Sequence, residues 1–442
     1  MKKNLHLILA LSALAVMLAT VSCGKNSGDD SQEDEGISFE IDPNGTYEYS
    51  SIEQMAENAF GNAGGQMAEL REQFLENARK KEAELAEKYG ANGLSLGYIS
   101  YKYYYKSKDL DGNDIMLSAR VGWGRYWLFG WNNLDPDNIY LWEHGTITSN
   151  AECPSEDCSY VMSLAVGDNL IIMPDCIGYG STKEMLHPYM NRDIAVTNSL
   201  AALKAGYDVW KKYGSGTMED DWKLCVVGAG EGAGDALAIH KYFDTHDDMA
   251  SEWRFDSSFS CAGAYDPAFI VKSWYNQGTV PYPLAIPMTV KSMLASYPRV
   301  LKGYVEDDFY SDKYLEIKNV IDAELKKKET RAADLNDKIM ELLGTENPML
   351  ADILSSEVLD KDSNLYKVFM TCLDKNDLTA GWTPKHKIEI YASEGDEVIP
   401  YASAEAVVEA FGDKVSLFGP TESMDHASLC GLWYHMASPG PL

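Results

Sequence analysis

The sequence predicts an α/β fold, a mostly parallel central sheet with helices on both faces and a helical insertion acting as a lid. Three observations carry this. From residue 138 onward, short apolar runs rich in β-branched residues alternate with stretches of helical period, as expected of strands joined by crossover helices. In the middle of that alternation, residues 222–243 read WKLCVVGAGEGAGDALAIHKYF. This is a strand at 224–227, a glycine cluster at 228–234 and a helix from 236. Finally, two late strands, at 387–392 and 415–418, are followed by Asp396 and His426 respectively.

Taken in order, the chain opens on Lys2 and Lys3, an apolar run at 5–18 and small residues up to Cys23. That is an export signal, with an apolar run too short for an ordinary membrane span. The stretch Thr20-Val21-Ser22-Cys23 resembles the cleavage site of bacterial lipoproteins, in which the cysteine carries the lipid, although Thr20 stands where leucine is usual. Residues 24–36, GKNSGDDSQEDEG, bury nothing and read as a tether. They resemble the acidic tails of surface-exposed lipoproteins of the Bacteroidetes. The resemblance implies a signal peptide at 1–22, lipid attachment at Cys23, a flexible tether at 23–45 and anchorage on the outer membrane facing outward. The competing reading is a plain secretory signal that leaves a free cysteine.

Residues 46–95 are expected to be mainly helical. Met67, Leu70, Phe74, Ala78 and Leu85 form one apolar face, and Gly90 ends the helix. From 96 to 121 the pattern alternates, with Asp111-Gly112 as a hairpin signal. Trp123, Tyr126, Trp127, Phe129, Trp131, Tyr140 and Trp142 follow. Such density suits cross-strand packing, and the alternative is a platform for stacking sugars. Strands are expected at 138–142, 169–173 and 259–264, and a helix at 193–213. Between 287 and 374 the strand pattern lapses into helices, including one from 317 to 343, which makes this segment the cap of a domain running from 96 to 442.

The 442 residues are 45% hydrophobic and carry a net charge of −30. Such a charge disfavours nucleic acid and anionic membrane surfaces as partners, leaving an N-terminal lipid as the only membrane attachment. With Cys23 lipidated, seven cysteines remain, so at least one is unpaired. Cys153 and Cys158, close in sequence, are the candidates for a local disulfide.

The glycine turn fits two chemistries. Gly228, Gly230 and Ala233 match a dinucleotide-binding turn, and Gly228-x-Gly230-x-Gly232 matches a nucleophile elbow except that Gly230 replaces the central serine. Two downstream residues decide. Asp396 after one late strand and His426 after the last give the chain order nucleophile, acid, histidine. A dinucleotide fold would instead open on its glycine turn and place an acid at the end of the next strand. Four segments, His144-Gly145-Thr146, Pro174 to Gly180 with His187-Pro188-Tyr189, Gly228 to Gly234, and Gly395-Asp396 through Pro400 with His426, together resemble the secreted lipase and esterase branch of the α/β-hydrolase fold. The resemblance implies that Asp396 orients His426, that His426 takes a proton from a nucleophile at 230, and that backbone N–H groups near Thr146 and at Glu231 form an oxyanion hole.

The nucleophile departs from that pattern. Gly230 offers no hydroxyl, so no acyl-enzyme forms there, and loss of a nucleophilic serine costs on the order of a millionfold in turnover. The expectation is therefore a catalytically impaired protein that keeps a pocket for an ester, lipid or glycan-like ligand, with no cofactor and no metal. Two alternatives stay open: an active ester hydrolase with a displaced nucleophile, for which Glu231, Cys176 and Ser181 are weighed, and a non-catalytic glycan binder using Trp127 and Trp131. The His240, Asp244, His246, Asp247, Asp248 cluster suits a metal only as a minor reading beside a solvated helix end.

Overall fold

A computed structural model describes residues 39–49, 51–60, 66–91, 93–156, 168–420 and 423–436. The expected signal peptide, Cys23, and the disulfide candidate Cys158 lie outside the described residues.

One sheet organises the chain. Its strands are β1 (Phe39–Tyr49), β2 (Ser95–Lys108), β3 (Asp114–Trp127), β4 (Trp131–Asn133), β5 (Asn138–Glu143), β6 (Asn169–Pro174), β7 (Lys223–Ala229), β8 (Phe255–Cys261), β9 (Lys387–Tyr391) and β10 (Val415–Phe418). They lie in the order β1-β2-β3-β6-β5-β7-β8-β9-β10, with β4 hairpinned onto β3. The first strands pair antiparallel and everything from β6 to β10 is parallel. The crossover helices are α3 (Arg192–Tyr213), α4 (Glu231–Thr245) with its short extension α5 (Asp247–Glu252), α6 (Pro267–Gln277) and, between the last two strands, α13 (Tyr401–Phe411).

Strand periodicity explains why both faces are covered. In β5, Ile139 and Leu141 point into a core shared with α3 and α4, whereas Tyr140 and Trp142 point into a second core on the other face. That second core is closed by α1 (Ile52–Phe60), by α2 (Gln66–Tyr89) through Phe74, Leu75, Ala78 and Leu85, and by α14 (His426–Met436) through Leu429 and Trp433. The aromatic segment is mostly core: Trp123, Tyr126, Tyr140 and Trp142 are buried, and only Trp127 and Phe129 stand exposed at the β3–β4 hairpin. The helices α7 (Ala285–Ser296), α8 (Asp312–Lys327), α9 (Ala332–Leu343), α10 (Leu350–Ile353), α11 (Ser356–Leu359) and α12 (Asn364–Asp374) follow α6 between β8 and β9. Together with α6 they enclose a hydrophobic core of their own around Phe309, Leu335, Ile339 and Phe369.

Several expectations need correction. Residues 39–45 are not tether, because β1 begins at Phe39 and pairs with β2 across a register shift between Ile41 and Thr46. Pro43-Asn44-Gly45 sits at that shift and disguises the strand as a turn. The helix expected at 317–343 is two helices, α8 and α9, separated at Lys328, which adopts the left-handed conformation at φ 56°. The strand expected at 259–264 runs from Phe255 to Cys261. His240 and Asp244 are not a solvated helix end: both are buried, His240 Nε2 donates to Asp244 at 2.9 Å, and His386 bonds the same carboxylate. Cys153 is a free, buried thiol, 3.6 Å from Asn150 Oδ1.

Candidate active site

The glycine turn joins β7 to α4 with Gly230 at its apex, at φ 58° and ψ −117°. Backbone of this kind is sparsely populated for residues with a side chain, and the tight strand-to-helix turn produces it. The Gly230 N–H donates to Cys261 O at 2.9 Å, which ties the apex to the end of β8. Around it, glycine is demanded by contact: a Cβ on Gly228 would lie 2.1 Å from Gly232 O, one on Gly232 2.3 Å from Glu143 O, and one on Gly234 2.0 Å from the Arg192 guanidinium. Residue 230 is different. A Cβ there would meet only Gly145 Cα at 3.9 Å and His426 Nε2 at 4.0 Å, both ordinary contacts.

Asp396 and His426 meet beside this apex, brought together by loops after β9 and β10. Asp396 is buried, and its Oδ1 accepts from the backbone N–H groups of Val398 at 2.9 Å and Ile399 at 2.8 Å. His426 Nδ1 donates to Asp396 Oδ2 at 2.9 Å and lies 3.1 Å from Oδ1. Ser393 holds the two loops together, its hydroxyl donating to Met424 O at 2.9 Å and accepting from Met424 N at 2.9 Å. The His426 N–H, at the start of α14, donates to Glu397 Oε2 at 3.1 Å. Burial works against a charged His426, and the Asp396 hydrogen bond together with the neighbouring Cys430 sulfur outweighs it, so the imidazolium is held up to about 10.

Glu231, the residue after the apex, turns its carboxylate into the protein. Its Oε1 accepts from His187 Nε2 at 2.8 Å and from Met190 N at 3.3 Å. Although burial alone would raise its pKa, His187 brings it below the ordinary glutamate range. A buried ion pair, Arg192 Nη1 to Asp235 Oδ1 at 2.6 Å, fixes α3 to α4 just behind the turn, and Arg192 also donates to Glu231 O and Ala264 O. Gly145, in the loop after β5, lies nearest the apex on that side, and the next residue, Thr146, has its hydroxyl 3.1 Å from Tyr189 OH.

The candidates weighed as substitute nucleophiles are not at the imidazole. Glu231 is engaged with His187, Ser181 donates to Met116 O at 2.8 Å, and burial pushes the Cys176 thiol well up in the wall of a small buried pocket shared with Glu231 and Asp235. The residue that sequence reasoning missed is Cys430, whose Sγ lies 3.9 Å from His426 Nε2. Its signal was the spacing from 426 to 430, one helical turn on α14.

A cavity of about 370 Å³ opens between the 179–187 loop and α8 of the cap, lined by Tyr179, Lys183, Leu186, His187, Met288 and Lys328 among others. His187 is thus shared between this cavity and Glu231 beside the elbow. Lys328 donates to Gly178 O and Met185 O and lies over the Tyr179 ring, and burial lowers its pKa to about 8. Among the described residues, no group of three or more His, Cys, Asp or Glu is arranged to hold a metal. No described helix is long and apolar enough to cross a membrane.

No family model matches the chain, and no curated protein does. Solved structures do. The rice cell wall degrading esterase LipA from Xanthomonas oryzae is similar at a TM-score of 0.60 and 18% identity, over 78% of this chain and 88% of that one. A protein of Legionella pneumophila is similar at 0.59 and 17%, over 83% and 92%. Candida antarctica lipase A in its closed state is similar at 0.50 and 13%, over 75% and 74%. The chain has the α/β-hydrolase fold that these esterases and lipases share, with helices on both faces of a mostly parallel sheet.

Proposed function

We propose that this chain is an ester-hydrolase relative whose elbow no longer carries a serine, and which holds an ester, lipid or glycan-like small molecule in the pocket beneath its cap without turning it over at enzymatic rates. The observation that carries this reading is Gly230 at the apex of the turn, 4.0 Å from His426 Nε2 by the position its Cβ would take, beside an Asp396–His426 pair whose hydrogen bonds are complete. The ring nitrogen so placed stands where a serine hydrolase keeps its proton-transfer group, and no hydroxyl stands at the apex opposite it. We further propose that the protein is exported and lipid-anchored at Cys23, facing outward from the outer membrane.

The test is to restore the hydroxyl. Gly230→Ser places an oxygen beside Nε2 with no bad contact at Cβ, at about 1–3 kcal/mol of backbone strain. Hydrolysis of p-nitrophenyl butyrate is expected to rise at least tenfold over the native chain and to vanish again when His426→Ala is added. Native protein that already hydrolyses the ester at ordinary enzymatic rates would end the reading.

A further inference from the structure

The sulfur beside His426 is not accounted for by the serine-less elbow. Cys430 sits one helical turn after His426 on α14, and its Sγ is 3.9 Å from the same Nε2 that faces the apex. Asp396 holds the opposite ring nitrogen at 2.9 Å. The thiol, the imidazole and the carboxylate therefore form a continuous relay of nucleophile, base and orienting acid. The His426 side chain keeps 22% of its surface exposed, and Cys430, packed against the sheet-face core, is partly buried like Cys176 and Cys225, whereas Cys153, Cys261 and Cys372 are fully buried.

We infer that the Cys430 thiol is the nucleophile that His426 and Asp396 now serve, and that it accepts the acyl group of an ester held beside the elbow. This rests on the reading that the chain takes an ester-class ligand, with its acyl end reaching the elbow, since Gly230, His426 and Cys430 do not line the cavity beneath the cap. The groups that face the sulfur are His426 on its own helix, Asp396 behind it, and the Cys261 thiol at the end of β8. Cys261 is the largest influence lowering the Cys430 pKa and His426 the next, against burial and the Asp396 charge. Cys261 itself is pushed the other way, well above an ordinary thiol, first by burial. Of the two sulfurs, Cys430 is therefore the one whose surroundings favour the thiolate.

The step balances without any redox partner. The Cys430 thiolate attacks the ester carbonyl carbon, the C–S bond forms as the bond to the alkoxy oxygen breaks, and the alkoxide leaves as the alcohol with the proton held on His426 Nε2. The product is a thioester on Cys430 and one equivalent of alcohol.

The experiment uses the full, reduced chain with p-nitrophenyl acetate, quenched in acid and mapped by mass spectrometry. One acetyl group is expected on the peptide carrying Cys430, forming at least tenfold more slowly in His426→Gln and in Asp396→Asn, and absent in Cys430→Ala. Iodoacetamide supplies a readout independent of the ester: alkylation of Cys430 is expected to proceed below pH 7, and His426→Gln is expected to move its pH profile up toward an ordinary thiol, near about 8.5. A Cys261→Ala background excludes a disulfide between the two sulfurs as the cause of any protection. Acetyl groups scattered over lysines, or an alkylation profile indifferent to His426→Gln, would overturn the inference. Nitrophenol released beyond one equivalent and dependent on Cys430 would support it while overturning the non-turnover reading. A glycerol monoether bound equally by the native chain and Cys430→Ala, with no acetyl on Cys430 from the nitrophenyl ester, would leave the binding reading standing and sink this one.

Discussion

Gly228, Gly230, Gly232 and Gly234 look interchangeable as letters, yet they answer different demands. At 228, 232 and 234 any side chain runs into backbone or guanidinium atoms within 2.3 Å, while at 230 the surroundings are open and only the torsion angles favour glycine. Gly232→Ala is therefore expected to lose about 3 kcal/mol or more through overpacking against Glu143 O, and Gly230→Ala only about 1–3 kcal/mol of strain. Urea unfolding of the two variants checks the order, and equal losses would show that contact is not what distinguishes them. Glu143 makes a second residue-scale case. It is buried with Oε1 unbonded, and burial first, with the Asp235 and Glu231 charges, pushes its carboxyl up to about 8. An unfolded glutamate titrates near about 4.3. Between those values the unfolded chain gives up a proton that the folded chain keeps, so the stability tied to this group is complete below the lower value and is lost as pH rises through the upper one. Glu143→Gln is expected to leave the melting temperature little changed near about pH 5 and to raise it by about 2–4 °C near pH 8. An equal difference at both pH values would contradict the assignment. The sequence could show Asp396 and His426, because their place after late strands is a matter of chain order. It could not show that Glu231 is claimed by His187, 44 positions away, since nothing local joins them.

At the scale of elements, the position of the imidazole depends on one terminal helix. His426 is the first residue of α14, and that helix is seated by Leu429, Leu432 and Trp433, the last buried between Trp142 and Phe259 at ring distances of 5.7 and 5.4 Å. Trp433→Ala is expected to cost about 3–5 kcal/mol. Added to Gly230→Ser, it is expected to abolish the regained esterase activity at temperatures where circular dichroism still reports a folded chain. Activity that survives would mean the Asp396 loop alone positions the ring. Elements with clean periodicity, such as β5, β6, β7 and α3, were legible to within a residue or two. Those governed by local exceptions were not: β1 hides behind Pro43-Asn44-Gly45, and the α8–α9 break depends on Lys328, whose left-handed backbone is accompanied by bonds to carbonyls on the distant 178–185 loop. Cys430 escaped notice for a related reason, because a spacing of four matters only once α14 is known to begin at His426.

Across the whole molecule, charge and architecture pull apart. A net charge of −30 on 442 residues favours solubility and works against compactness by self-repulsion. Raising sodium chloride from about 20 mM to about 300 mM, which shortens the screening length to under about 10 Å, is expected to raise the melting temperature by a few degrees, and a flat or falling response would show that local ion pairs outweigh the global repulsion. Fold class was readable at this scale because alternation of strands and helices survives single-residue surprises. Which strands neighbour one another was not, since the exchange of β5 and β6 in the sheet is set by long-range pairing.

The unequal crowding around the four glycines bears on how reversible the present state is. Three of them are locked by their neighbours, but a glycine codon ending in a pyrimidine becomes serine by one nucleotide change, and residue 230 is the one place in the turn where that change meets no steric obstacle. A randomised library of this turn selected for growth on an ester as carbon source should therefore converge on a single position, with the surrounding scaffold left untouched.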